Sequence, residues 1–217
     1  MLSSVPIAIA DGSATAIDPA AGRAAYVGKD GKLDLIELAS GSTQTVNLDS
    51  AATVLAWTRN GNQLLVGDGE GNVYVWDGSG ATRLLIPTPL AGSFRANPWP
   101  RQPAQGTVLQ LAPSHDGNRL AVIRQDLPTV DLHDLSDGRH LTQLTAPWTT
   151  LKIPAYVAFA ADDAIVTAWA VHPMAKDKPR YVTVHQIPRN FEELLAVATD
   201  RLTKLEAVWS AAGPPGQ

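Results

Sequence analysis

The sequence predicts an all-β protein built from four copies of one antiparallel unit. Three observations lead there. Charged residues make up only 18% of the 217, while Gly (17) and Pro (16) are plentiful. That balance suits many short strands joined by tight turns better than long helices. Short apolar runs are punctuated by Asp-Gly, Asn-Gly and glycine-rich turns, which are hairpin signals because Gly takes positive φ without steric cost. Finally, one stretch, Leu64 to Asp77, reads as apolar strand, acidic-glycine turn and apolar strand ending in Trp76-Asp77, and weaker variants of it recur three times.

The strand that ends at the Trp-Asp position serves as a ruler. Its copies begin at Leu33, Val73, Val130 and Val182, spaced 40, 57 and 52 residues apart. Each has an upstream hairpin partner: Arg23–Val27, Gln63–Val66, Arg119–Ile123 and Ala164–Trp169. One strand earlier stand Thr15–Ile17, Thr53–Trp57, Thr107–Leu111 and Ala155–Phe159. A fourth, outer strand is predicted at Thr43–Leu48, Thr82–Ile86 and His140–Leu144; the last repeat lacks one. Val5–Ala10 is a candidate to supply it, or to finish a unit whose other strands lie on another chain. A period near 40 fits the ~40–45 residues of one four-stranded propeller blade, and the longer spacings imply insertions. The expected architecture is therefore a β-propeller of about four blades over residues 1–187, a partial or half propeller.

The C-terminal stretch has a different period. Phe191, Leu194, Leu195, Ala198, Leu202, Leu205, Val208 and Trp209 recur at steps of three, four and seven, the mark of an amphipathic helix, expected over 188–212. Asn190 and Glu193 form a capping-box-like start. Gly213-Pro214-Pro215-Gly216 stops the helix, leaving 213–217 as a disordered tail.

On these residues the chain resembles bacterial WD-repeat β-propellers over about 12–187. The second repeat, with Gly67-Asp68-Gly69 and Val73-Tyr74-Val75-Trp76-Asp77, is the close match. Ile36, His133 and His185 stand where the others would carry Trp, and no good Gly-His dipeptide precedes the repeats. The tail Leu194-Leu195-Ala196-Val197-Ala198…Arg201-Leu202-Thr203 resembles the segment after the last blade in many bacterial WD-repeat signalling proteins. The resemblance implies a sensor or scaffold in a signalling or defence assembly, alongside NTPases, kinases or caspase-like proteases.

Composition narrows the function classes. A net charge of −4 argues against a nucleic-acid binder, whose affinity rests on a basic surface. With no cysteine there is no disulfide framework, thiolate zinc site or Cys nucleophile. No apolar run approaches the ~18 residues of a membrane span, and the N-terminus has no secretory pattern, so a cytoplasmic location is expected.

Candidate chemistry is sparse. Ser114-His115-Asp116 has the letters of a hydrolase triad, but consecutive residues point apart and the segment reads as a turn. His133 and His185 share the repeat position of Trp76, which favours packing over metal ligation. Asp30, Asp68, Asp77 and Asp134 recur near turns and strand ends, one repeat apart, as turn stabilisers rather than calcium ligands. Two partner-binding candidates stand out. The insertion from Pro87 to Gly106 sets Phe94, Arg95, Trp99 and Arg101 among five prolines, and Trp and Arg are common interface anchors. The far end of the terminal helix offers Leu205, Val208 and Trp209 for docking. The basic insertion His172–Arg180 reads as a solvated hairpin tip.

These readings converge on a non-catalytic interaction module without cofactor or metal. Its expected partner is a protein that supplies further blades or an effector domain. A propeller-scaffold hydrolase or lyase, and a self-closed four-bladed ligand-binding propeller, are the alternatives.

Overall fold

A computed structural model describes residues 14–18, 22–28, 31–48, 50–79, 82–88, 106–125, 127–145, 152–161, 164–171 and 181–187, with Thr199, Asp200 and Thr203. Among the described residues fifteen strands form four antiparallel sheets, each a meander of sequence neighbours. The first sheet holds β1 (Thr15–Asp18), β2 (Arg23–Val27), β3 (Leu33–Glu37) and β4 (Thr43–Val46). The second holds β5 (Ala52–Trp57), β6 (Leu64–Asp68), β7 (Val73–Trp76) and β8 (Thr82–Ile86). The third holds β9 (Val108–Pro113), β10 (Arg119–Arg124), β11 (Thr129–Asp134) and β12 (His140–Thr145). The fourth has three strands: β13 (Lys152–Ala161), β14 (Ala164–Val171) and β15 (Tyr181–Gln186).

The sheets stack in chain order. The leading strand of each packs on the sheet before it: β5 on β1 and β2, β9 on β5 and β6, β13 on β9, β10 and β11. Among the described residues, no packing of similar extent joins the fourth sheet to the first. Period-two alternation explains how one strand serves two neighbours. In β6, Leu64 and Val66 enter the core shared with the first sheet, while Leu65 enters the core shared with the third. In β10, Leu120 and Val122 face the second sheet, and Ala121 and Ile123 face the fourth. Strands buried on both faces must be apolar throughout, which is why the middle sheets carry near-continuous aliphatic runs.

In the second and fourth sheets the face turned to the preceding sheet carries large rings, whereas the core between the second and third sheets is aliphatic from both sides. Trp57 and Trp76 pack against Ala16, Ala25, Val27 and Leu35. Phe159 and Trp169 likewise meet Ala112 and Ala121. Large opposite small lets the twisted layers interdigitate without voids. Trp57 and Trp76 meet edge to face, with ring centres 6.1 Å apart. Arg23 stacks over both, 4.7 and 5.5 Å from their centres, while its Nη2 donates to Asp18 Oδ2 (2.9 Å) and Gly61 O (2.7 Å). One guanidinium therefore ties the first β-hairpin to the turn of the next sheet.

In the second and third sheets the hairpin turns between the first two strands share one mechanism. Thr58 Oγ1 donates to Asn60 Oδ1 (2.8 Å) and accepts the Gln63 N–H (3.1 Å). Ser114 Oγ does the same with Asp116 Oδ1 (2.5 Å) and the Arg119 N–H (2.9 Å). In both, the Asx oxygen then accepts the N–H two residues on, from Asn62 or Asn118. These side-chain bonds reinforce the backbone turn, in which the Gly61 N–H donates to Thr58 O (2.9 Å) and the Gly117 N–H to Ser114 O (3.1 Å).

The expected N-terminal strand Val5–Ala10 and the tail 213–217 lie outside the described residues. Of the expected helix over 188–212, Thr199, Asp200 and Thr203 are described and helical; Thr203 Oγ1 donates to Thr199 O at 3.0 Å.

Candidate functional site

The four sheets are in register, so equivalent positions can be compared directly. Leu64 pairs with Trp76, Leu120 with His133, Ile165 with His185 and Ala24 with Ile36. The residue three before each ruler position is then Leu33, Val73, Val130 and Val182, and the one before it Leu35, Val75, Leu132 and Val184. The first three pairs are buried against the next sheet: Leu33, Val73 and Val130 are all 0% exposed. Val182 and Val184 are 69% and 62% exposed. They share their face of the fourth sheet with Ala168 and Val166, across which they pair, and with Tyr156 and Ala158 on β13. Tyr156 is 55% exposed. At the other end of the stack, Ile17 occupies the position of Trp57 and Phe159 and is 70% exposed, where those two are buried. Val182 and Val184 thus stand open on the end face of the fourth sheet, whereas on the end face of the first sheet Ile17 is exposed but Ile36 is buried; β15 has no fourth-strand neighbour among the described residues.

The seams between sheets carry polar links that hold this stack in register. Thr53 Oγ1 donates to Val108 O (2.7 Å), and Thr107 Oγ1 to Gly69 O (2.9 Å), across the second and third sheets. Gln110 bonds Val157 at both ends of its amide, donating to its O (2.7 Å) and accepting from its N–H (3.0 Å), across the third and fourth.

One buried polar group stands apart. Arg124, at the end of β10, is fully buried; its Nη1 donates to Asp131 Oδ2 (2.8 Å) and its Nε to Gly71 O (3.1 Å) in the neighbouring sheet. Asp131 also accepts from Gln143 Nε2 (3.1 Å) and Thr129 Oγ1 (3.3 Å). Arg124 Nη2 and His133 Nε2 are buried without a hydrogen bond. Burial pushes the Arg124 pKa down, against the pull of Asp131.

His133 is buried on the same face of β11 as Asp131 and meets His140 edge to face at 5.3 Å. Its Nδ1 lies 3.0 Å from Gly138 O. A carbonyl only accepts, so Nδ1 carries the proton and Nε2 is a bare acceptor. Burial lowers the His133 pKa, helped by the Arg124 charge and only partly offset by the bond to Gly138 and by Asp131. The sign follows: below the ordinary His pKa the unfolded chain binds a proton that the native state refuses. Stability is therefore full above that value and falls as pH drops from it towards the depressed native pKa. His133→Gln should flatten this window, read as the urea midpoint between pH 5 and 7. An unchanged slope would mean another group titrates there.

The remaining repeat positions are structural. Asp68 is buried; it accepts from Ser50 Oγ, from the Glu70 and Asn72 N–H groups and from Asn72 Nδ2. Trp76 is buried against Trp57. Asp77 and Asp134 accept N–H bonds from Ser79 and Ser136 (2.9 Å each), and the hydrogen bonds with these serines hold both carboxyls below the usual range. His185 Nε2 lies 2.8 Å from Thr183 Oγ1, which also accepts from Trp169 Nε1 (2.8 Å). In Ser114-His115-Asp116, the Ser hydroxyl is buried and engaged with Asp116 and Arg119 N–H, while His115 is exposed. Asp30, the loop residues Phe94, Arg95, Trp99 and Arg101, the insertion 172–180, and Leu205, Val208 and Trp209 lie outside the described residues.

Among the described residues no three His, Asp or Glu side chains gather as a metal site, and no helix is long and apolar enough to cross a membrane. No protein-family model matches the chain, and no curated protein is significantly similar to it. Sequence reasoning missed the Arg124–Asp131 pair; a partial propeller implies an open end face, but not that Val182 and Val184 are the residues exposed on it. The alternation Val182-x-Val184, in line with Val73-x-Val75, was the available signal for the latter.

Proposed function

We propose that this chain is an incomplete β-propeller whose four sheets act as blades, and that it works as a non-catalytic protein–protein interaction module. As a scaffold, sensor or regulatory subunit it binds a protein that continues the stack. One observation carries the reading: Val182 and Val184 are exposed at positions that the three preceding sheets bury. Large exposed apolar sheet faces are rare on free-standing proteins and mark interaction surfaces. Sequential meander sheets stacked by their leading strands fit blades better than a sandwich, whose two sheets share a single core. Exposed Ile17 at the opposite end supports an open stack over a self-closed four-bladed ring. The resemblance of the second repeat to WD-repeat propellers supports a bacterial signalling or defence setting.

A photoreactive benzoylphenylalanine at position 184, irradiated in the cells that make the protein, tests this. It should give a cross-linked adduct to a second protein chain, while the same group at exposed Arg83, on the outer strand of the second sheet, should give none. No adduct at position 184 would overturn the reading.

A further inference from the structure

We infer that the free edge of β15 receives a strand from a second protein chain, which completes the fourth sheet by strand addition. This rests on the open-propeller reading above and deepens it, giving the attaching strand its position and its chemistry.

The first observation is the state of the edge. A bare strand edge templates pairing with another chain, and proteins blunt such edges with short strands, bulges, charge or proline. The outer strands of the first three sheets are blunted in these ways. β4 has only four residues. β8 carries Arg83, and its ladder to β7 shifts register between Val73 and Tyr74. The β11–β12 ladder shifts between Leu132 and His133. β15 has none of these devices. Its six residues, Tyr181 to Gln186, include no Lys, Arg, Asp, Glu or Pro, and they pair with β14 at every position without a shift. Thr183 is also held by its side chain, accepting from Trp169 Nε1 and meeting His185 Nε2, at 2.8 Å each. Among the described residues the other edge of this fixed strand has no partner.

The second observation is register, which gives the added strand its chemistry. In each of the first three sheets the outer strand runs antiparallel to the ruler strand and sets one aliphatic residue at a fixed place. Val46 stands opposite Leu33, Ile86 opposite Val73 and Leu144 opposite Val130. All three are buried, each in the core shared with the next sheet. The residues opposite Leu35, Val75 and Leu132 are polar and exposed: Gln44, Arg83 and Thr142. Val182 and Val184 hold these two ruler-strand positions in the fourth sheet. The added strand therefore runs antiparallel to β15, with Val, Ile or Leu opposite Val182 and a polar residue opposite Val184.

Edge and face then act together. Directly opposed residues share a face of the sheet, so the incoming aliphatic side chain stands beside Val182. It widens the exposed patch of Tyr156, Val182 and Val184 into the kind of surface on which the leading strand of the next sheet packs elsewhere in the stack. Main-chain hydrogen bonds along β15 supply affinity, and the aliphatic position fixes the register. Among the described residues no packing of similar extent joins the first sheet to the fourth, so the strand is assigned to a second chain.

Disulfide trapping of a peptide on the whole chain tests this. The chain has no cysteine, so Val182→Cys gives it a single thiol at an exposed position. The probe is a synthetic copy of Gly41–Leu48, which spans β4, carrying Val46→Cys. The control copy keeps Val46 and carries Thr45→Cys, because a shift of one residue turns the thiol to the other face of the sheet. In a glutathione buffer at equilibrium the probe should form about tenfold more mixed disulfide than the control, through the effective concentration that strand pairing supplies. Circular dichroism and the melting midpoint of the Val182→Cys chain should match those of the wild type. Val184→Cys with a Gln44→Cys peptide repeats the measurement one register position along, should the first variant fold poorly. Equal yields from probe and control overturn strand addition. If the yields are equal yet position 184 cross-links to a second protein, the partner covers the face without extending the sheet, and the open-propeller reading stands. If the probe is favoured but position 184 gives no adduct, a second chain as the strand's source falls together with the open-propeller reading.

Discussion

Arg124→Met should lower the free energy of unfolding by ~3–5 kcal/mol, the cost of leaving a buried charge without its partner. Methionine fills much of the volume but supplies no donor. Asp131, buried in the seam between the second and third sheets, would keep only Gln143 and Thr129. Gly71 O would also lose the Nε bond that now crosses the seam at 3.1 Å. The double variant Arg124→Met/Asp131→Leu should recover most of the loss, because replacing both members of a buried pair with apolar side chains is often neutral or better. Recovery is favoured further here because Arg124 Nη2 already lacks a hydrogen bond, so the native pair is not fully satisfied. Urea unfolding of the single and double variants measures this. A double variant as unstable as the single one would show that Arg124 acts through shape, with its charge irrelevant.

Gly138→Ala should cost roughly 2–5 kcal/mol, combining left-handed backbone strain of about 1–2 with overpacking of about 1–3. Gly138 sits in the β11–β12 hairpin at φ 77°, and a Cβ there would lie 2.1 Å from Leu85 O and 2.9 Å from Leu85 C. Those atoms are backbone of β8 in the second sheet, so no side chain can swing aside. The hairpin would have to back away, pulling His133 Nδ1 from Gly138 O and opening the seam beside Arg124. Gly41→Ala is the control. Its φ of 72° is nearly the same, but nothing lies within 4 Å of its Cβ position, so only the backbone strain of ~1–2 kcal/mol applies. The difference between the two urea midpoints isolates the contact across the seam. Equal losses would mean that the hairpin is not held against β8.

The strands were legible because their signals are local. Asp68 with the Gly71 turn, Asn60-Gly61 and Asp116-Gly117 mark hairpins by the conformational freedom of Gly and the self-bonding of Asx side chains. Apolar residues at every second position or in unbroken runs mark sheets buried on one face or on both. The ruler register also held: Ile36, Trp76, His133 and His185 are equivalent across the four sheets. The sequence also predicts no outer strand of its own for the fourth repeat, and among the described residues the fourth sheet has three strands. The Arg124 cluster was not legible. Arg124 ends an aliphatic run, its acidic partner is seven residues on and its carbonyl partner 53 residues back, and only the stacking of two sheets brings the three together.

What the sequence by itself determined, then, is the all-β class, the four repeats, the strand positions and the alternation that gives each strand two apolar faces. What only the tertiary structure decided is which of those faces is covered. Val73-x-Val75 and Val182-x-Val184 are the same pattern, yet the first pair is buried and the second stands open. The reason is physical: alternation is a property of one strand and travels with its residues, whereas burial is a property of a pair of sheets. A pair forms only if a neighbour is there to stack.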